Sequence, residues 1–424
     1  MNTQTYFGIV DCNNFYVSCE RLFAPNLDNK PIVVLSNNDG CVIARSAEAK
    51  ALGVPMAVAY FQIRELVKQH DIHVFSSNYA LYGDLSNRVM ETVGTVCPTV
   101  EIYSIDEAFV AFNYLSPEKL AHKASSIRER CVNWVGIPVK VGIAPSKTLA
   151  KTAAYLVKKN MNYNGNCIFT SGEEAYPFIK DLSLSTVWGF GKGYVNRLND
   201  IQKVTIGDFL ALPSSWVKKN MGVQGLRTWY ELKGNSCLPI VEKQRERKMI
   251  MTSRSFGRPV NSYREMKEAV STYSARCTEK LRRQNLESSC VTVYLTPRMT
   301  KEGKRVSSHS YFINLSEATS DTGLLLKTAY KCLDILFNHA ITYKKAGVIL
   351  SGLRPVGSTQ LSINSQVTPS THRNKLMQSL DFMNMKHGQN TIRFLSEGIE
   401  KDWKMRCGSR SGRCTTSWDE LYLI

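Results

Sequence analysis

Three carboxylates sit where an undisturbed chain has little use for them. Asp11 closes the apolar run Tyr6–Val10, and Asp106 and Glu107 stand side by side between Val100–Ile105 and Ala108–Val110. A carboxylate at the end of an apolar strand is poorly solvated and costly unless it meets a cation. Two neighbouring carboxylates also repel each other. A divalent ion answers both problems, since magnesium takes carboxylates together with substrate phosphates. Two such ions about 4 Å apart support phosphoryl transfer. From the spacing alone, a solvated acidic turn is the competing reading.

The chain of 424 residues has room for two to four domains at roughly 100–200 residues each. No stretch of about 18 apolar residues occurs, which excludes an ordinary membrane-spanning helix. The first residues carry no basic segment, and Asp11 interrupts the apolar run, unlike a secretory signal. The 12 cysteines are scattered without a Cys-x-x-Cys pair. That fits a reducing cytoplasm better than a zinc ribbon or a disulfide framework.

Charge adds a second constraint. There are 54 Lys and Arg against 36 Asp and Glu, a formal net charge of +18. Such an excess usually meets a polyanion, most often nucleic acid, and a merely basic soluble surface is the alternative. The excess is uneven. Residues 1–165 hold 16 basic and 14 acidic residues, and 166–243 hold 9 and 7. Residues 244–352 hold 19 and 9, a net of +10, and 353–424 hold 10 and 6.

The first block alternates between strand-like and helix-like runs. Tyr6–Cys12, Pro31–Leu35 and Val139–Ile143 read as strands, Ala44–Leu52 and Lys147–Lys159 as helices. Residues 100–110 read as two strand segments around an acidic turn. Short helices joined by glycines follow at about 185–212. The charged run Lys243–Lys248 reads as a linker. Beyond it, strands at Cys290–Thr296 and Ala346–Leu350 mix with helices at Tyr263–Leu281 and Asp321–Phe337.

Several stretches are similar to the Y-family DNA polymerases. Asp11-Cys12-Asn13-Asn14-Phe15-Tyr16 resembles their first acidic motif and Ser104-Ile105-Asp106-Glu107-Ala108-Phe109 their second. Ser36-Asn37-Asn38-Asp39-Gly40-Cys41-Val42-Ile43-Ala44-Arg45 narrows the resemblance to the UmuC-type subgroup. Phe75–Tyr79, Val187–Gly191 and Ser253–Gly257 extend it in order along the chain.

The resemblance implies an α/β (α+β) right hand. Its palm spans 1–165, with small fingers inserted at about 25–78, and a helical thumb with a helix-hairpin-helix turn spans 166–243. A basic α+β little finger follows at 244–352 and a partner-binding region at 353–424. It implies Asp11, the main-chain carbonyl of Cys12, Asp106 and Glu107 as ligands of two Mg2+ ions, with Mn2+ as an alternative. Where some relatives carry a further acid this chain has Asn13, so the site rests on three carboxylates. Tyr16 becomes a steric gate that clashes with a ribose 2′-hydroxyl, a selection by repulsion; a plain core aromatic is the other fate for one of Phe15 and Tyr16. Lys50 and Lys158 become triphosphate contacts, with Lys159 as a neighbouring competitor.

Gly189, Gly191 and Lys192 would lie in the hairpin turn, where glycines let backbone amides approach a DNA phosphate. Arg254, Arg258, Arg282 and Arg283 would hold the template-primer backbone, and solvated surface positions are the alternative for each. Gln360, Leu361 and Ser362 resemble a sliding-clamp motif that has Asn364 where an aromatic is usual, which weakens the expected contact. Processed UmuD-type dimer and RecA filament are the further implied partners, alongside primer-template DNA and deoxynucleoside triphosphates, with no membrane. The implied function is error-prone translesion synthesis in the cytoplasm during the SOS DNA-damage response. Two other classes compete: a nucleotide cyclase with a palm-like fold, and a catalytically inactive DNA-binding subunit.

Overall fold

The computed structural model describes residues 5–160, 163–241, 246–298, 307–358 and 371–421. The chain divides into two compact units. The first comprises Met1–Ser36, Cys41–Gln244 and Ser409–Ile424, and the second Asn37–Gly40 and Arg245–Gly408.

Eight strands belong to the first unit: β1 (Thr5–Cys12), β2 (Ile32–Leu35), β3 (Val42–Arg45), β4 (His73–Ser76), β5 (Val100–Ile102), β6 (Glu107–Asn113), β7 (Val139–Ala144) and β8 (Asn166–Ile168). A five-stranded sheet has the order β5-β6-β1-β7-β8, antiparallel except for the β7–β8 pair. Its central strand is the apolar run that ends at Asp11. Alternation along β1 sends Tyr6, Val10 and Cys12 into one core with helices Tyr79–Val96 and Pro117–Arg130. Ile9 goes to the opposite face, under helix Lys147–Lys159.

That helix lies close to the sheet because of one glycine. A Cβ on Gly142 of β7 would stand 2.4 Å from the Ala150 carbonyl oxygen and 2.4 Å from the Ala154 nitrogen. Only glycine admits backbone so near. The small insert is a three-stranded sheet, β3-β2-β4, with its own apolar core around Val33, Leu35, Val42 and Ile63. The expected helix at Ala44–Leu52 begins later. Ala44 and Arg45 pair with β2, and Ser46 caps a helix at Ala47–Ala51 by accepting from the Ala49 amide. The β-branched Val42 and Ile43 start the strand and carry Ala44 and Arg45 on with it.

The helical part contains Gly172–Ile179, Lys192–Asn199, Ile206–Leu210 and Ser214–Leu232. The last is broken at Gly222, whose φ of 66° is left-handed. β8 falls within the range expected for the thumb, yet it extends the palm sheet beside β7.

The second unit is built on β9 (Met249–Val260), β10 (Leu286–Pro297), β11 (His309–Thr319) and β12 (Tyr343–Pro355), in the antiparallel order β11-β10-β12-β9. Helices Tyr263–Arg283 and Thr322–Leu336 cover one face, burying Val291, Val293, Ala346 and Val348 against Val270, Cys277 and Ala329. The other face leaves Met251 and Phe312 exposed beside Tyr294 and Lys345.

The expected separate region at 353–424 is not a unit of its own. Residues through Gly408 pack with the second unit, where Trp403 is buried against Phe256 and Tyr273. Ser409–Ile424 pack with the first. A short polar tail with few core residues cannot close a hydrophobic core by itself and must borrow one.

Candidate active site

Register decides what surrounds Asp11. In the β1–β6 ladder Asp11 lies opposite Glu107, and in the β1–β7 ladder it lies opposite Lys140. Directly opposed residues share a face, so an acid, an acid and a lysine stand in one row. The face is the one under helix Lys147–Lys159. Lys151 and Lys158 are seven residues apart, two turns of helix, and reach the two acids in reverse chain order. Lys158 Nζ is 2.6 Å from Asp11 Oδ2, and Lys151 Nζ is 2.9 Å from Glu107 Oε2.

Asp11 is 4% exposed. Burial pushes its carboxyl up to about 7, opposed by Lys158 and reinforced by a hydrogen bond and charge repulsion with Glu107. Glu107 is held below the usual range despite its own burial, by its hydrogen bonds to Asp11 and Lys151 and by the lysine charges. Asp106 turns away from this pair and accepts from the Ser104 hydroxyl at 2.6 Å. The turn is fixed by the backbone, with Cys12 N donating to Asp106 O at 2.9 Å and Ser104 N to Glu107 O at 3.0 Å.

Asp11 and Asp106 line a cleft of about 450 Å³ together with Cys12, Tyr16, Lys50 and Lys158. Glu107, opposite Asp11 on β6, is not part of its wall. Among the described residues no three His, Cys, Asp or Glu side chains converge as a ready-made cluster for an ion. The lysine ammoniums hold Asp11 and Glu107, and the Ser104 hydroxyl holds Asp106. The donor chemistry nevertheless suits a hard divalent cation: carboxylate oxygens, one of them desolvated and adjacent to a second acid.

Both aromatics after Asp11 border the cleft; Phe15 is core, at 4% exposure, and Tyr16 is only half-buried. Asn14 makes the turn before their helix with a left-handed φ of 43°. The Tyr16 ring stacks on Tyr82, with centroids 4.5 Å apart and planes 19° apart, and meets the edge of Tyr79 at 6.1 Å. Burial pushes the Tyr16 hydroxyl up to about 12, so it stays neutral.

Sequence reasoning missed Arg45 and Lys140. Arg45 lines the cleft and donates to the Val54 carbonyl. Lys140 lies opposite Asp11, and burial followed by the Lys158 charge lowers its ammonium. The strand register of Lys140 was the available signal. Two further acids, buried Glu231 and half-buried Glu101, were also missed. Glu231 is 0% exposed and accepts from the amides of Thr148 (2.8 Å), Cys237 (2.6 Å) and Leu238 (3.1 Å). Glu101 accepts from Lys147 and from the Val241 amide. Together they fix the start of the lysine-bearing helix.

In the hairpin turn, Gly189 has a φ of 84°, Gly191 caps helix Lys192–Asn199, and Lys192 is exposed. A Cβ on Gly189 or Gly191 would meet nothing within 4 Å, so both open to space. Within the second unit Arg254 is exposed. Arg283 is 58% exposed and pairs with Glu279 at 2.7 Å. Arg258 forks onto Glu265. Arg282, expected as a backbone contact, is largely engaged within the unit. It is 11% exposed, bonds both oxygens of Asp381 at 2.7 Å, and also meets Ser320 O and Thr322 Oγ1. Four of its roughly five N–H donors are thus taken up inside the unit, which leaves little for a phosphate. Gln360, Leu361 and Ser362 lie outside the described residues. No helix among those described is long and apolar enough to cross a membrane.

Solved structures share the fold. A Y-family DNA polymerase chimera matches with a TM-score of 0.63 at 19% identity, covering 82% of this chain and 99% of that one. An insertion ternary complex of Dbh DNA polymerase matches with a TM-score of 0.57 at 19% identity, covering 82% and 98%. The fold is therefore that of the Y-family polymerase right hand. Residues 10–155 match the impB/mucB/samB family, 247–363 match its C-terminal domain, and 374–424 match a domain of unknown function. Protein UmuC of Salmonella typhimurium is 37% identical over 421 residues, covering 99% of this chain and all of that relative. Protein ImpB of Salmonella typhimurium is 36% identical, covering 98% and 99%. The chain belongs to the impB/mucB/samB family, the UmuC-type branch of the Y-family polymerases. Polymerases of this kind use divalent metal ions.

Proposed function

We propose that this translesion DNA polymerase extends a primer 3′-hydroxyl with Asp11, Asp106 and Glu107 as its metal-holding carboxylates and the cleft beside Tyr16 as its nucleotide site. The observation that carries the reading is the strand register: it sets Asp11 against Glu107 and leaves Asp11 and Asp106 on the wall of one cleft with Tyr16. Two magnesium ions, with manganese as a substitute and Cys12 lending its carbonyl, would supply Lewis-acid activation of the primer hydroxyl and charge relief at the leaving pyrophosphate.

The protein's own side chains do the rest. Lys50, Lys158 and Arg45 line the cleft and give a triphosphate its counter-charge, and Lys140 adds to them from its place opposite Asp11. Tyr16, backed by Tyr82, presents a flat ring that a 2′-hydroxyl would strike. Gly189, Gly191 and Lys192 offer amides and a charge to a DNA phosphate. Arg254 and Arg283, with the open face of the β11-β10-β12-β9 sheet, serve the duplex backbone.

By family resemblance the enzyme works in the bacterial cytoplasm during the SOS response. A processed UmuD-type dimer, RecA filament and the sliding clamp would be its partners, the clamp through Gln360–Ser362. The test is primer extension over an abasic template with Asp106→Ala and Glu107→Ala. Loss of extension in both is expected, and undiminished extension refutes the assignment.

A further inference from the structure

The last segment of the chain packs on the small three-stranded insert, far in sequence from the acidic motifs. Ser76, at the end of edge strand β4, makes a parallel bridge to Arg410. Its amide donates to Ser409 O at 2.9 Å, and its hydroxyl accepts from the Ser409 amide at 3.0 Å. Asn78 Nδ2 then faces Ser411 O at 3.2 Å, Ser411 Oγ at 3.0 Å and Gly412 O at 3.1 Å. The tail is braced on itself, since Arg413 meets Glu420 through its amide at 2.7 Å and its guanidinium at 2.7 Å.

Two of these contacts lead to the nucleotide cleft. Asn78 is the cap of helix Tyr79–Val96, and its Oδ1 accepts from the Leu81 amide. The first turn of that helix carries Tyr79 and Tyr82, the two rings against Tyr16. Glu20 is buried at 2% exposure on the helix that carries Tyr16. It accepts from the Tyr82 hydroxyl at 2.5 Å and from the Ser411 side chain. The tail therefore holds both the turn that presents Tyr82 and the carboxylate that orients its ring.

We propose that Ser409–Gly412 is a positioning element for sugar selection: through Asn78 and Glu20 it fixes Tyr82, and Tyr82 fixes the plane of Tyr16. Tail residues touch no nucleotide and act through the two tyrosines. A ring that selects by collision works only if it cannot yield, because a shift of about 1 Å removes the clash. The proposal rests on Tyr16 being the sugar gate, and it gives a purpose to part of the domain of unknown function at 374–424.

The experiment measures kcat/KM for a deoxynucleotide and its ribonucleotide on an undamaged template, using the full-length chain. Asn78→Asp keeps the oxygen that caps the helix and removes the donor to the tail. Ser411→Ala removes the hydroxyl, and Ser411→Thr restores it. Each of the first two should reduce deoxy-over-ribo discrimination by about five-fold, the net worth of one hydrogen bond. Deoxynucleotide kcat/KM should hold, and Ser411→Thr should match the parent. A tail that only added stability would shift melting and leave the ratio alone. The parental ratio in both Asn78→Asp and Ser411→Ala, with Tyr16→Ala lowering it, overturns the proposal and spares the gate. If Tyr16→Ala also keeps the parental ratio, the gate reading fails and this proposal with it.

Discussion

The two units hold equal numbers of basic residues and use them differently. The first has 27 Lys and Arg against 22 Asp and Glu, and the second 27 against 14. In the first, key lysines are tied to particular acids: Lys158 to Asp11, Lys151 to Glu107, Lys147 to Glu101. In the second, a net of +13 remains after ion pairs such as Arg282–Asp381 and Arg283–Glu279. Paired charge marks the cleft, and surplus charge marks a surface suited to a polyanion. The basic block also extends further than 244–352, because residues through Gly408 join the same unit.

The sharpest way to break this contrast lies in the acids. Asp106→Ala and Glu107→Ala should each lower primer extension by about 10³-fold, since several kcal/mol of charge stabilisation is lost. Binding of primer-template, measured by fluorescence anisotropy, should stay within about two-fold, because phosphate contacts carry that affinity. An equal loss of binding would erase the distinction between cleft and surface.

Tyr16→Ala comes next. Ribonucleotide insertion relative to deoxynucleotide should rise by about 10- to 100-fold, the range for removing a steric contact in a pocket. The readout is the ratio of kcat/KM values.

Glu231→Ala probes the framework behind the lysines. Three amides lose a buried acceptor, at a cost of about 2–3 kcal/mol. Thermal unfolding should show the transition of the first unit moving down while that of the second stays in place.

The smallest effect separates two arginines of the second unit. Arg254→Ala should reduce the slope of log affinity against log salt by about 1. Arg282→Ala should leave that slope unchanged and lower the melting temperature, because it strands Asp381 without its guanidinium. The reverse pattern would mean that the internal ion pair opens to DNA.

Much of this was legible in order along the chain. The apolar run into Asp11, the Asp106-Glu107 pair and helix Lys147–Lys159 are local patterns, and the helix bounds agree with the structure. The asparagine-rich turn was legible only as a resemblance. Its tertiary place is with the second unit, where Asn38 donates to the carbonyls of Ser255 and Phe256 at 3.3 and 3.2 Å. Arg254 and Arg282 read alike in sequence, each beside another polar or basic residue. Exposure and an aspartate 99 residues away divide their fates.

Local pattern thus determined the elements, the three acids and the uneven charge, because periodicity and composition act over a few residues. Tertiary structure decided which acid faces which lysine, which aromatic stays open, and where the last residues of the chain attach. Those outcomes depend on register and on contacts between residues as many as 369 positions apart. No window of sequence contains both partners of such a contact, so only the folded chain could bring Asn78 to Gly412 or Asp11 to Lys158.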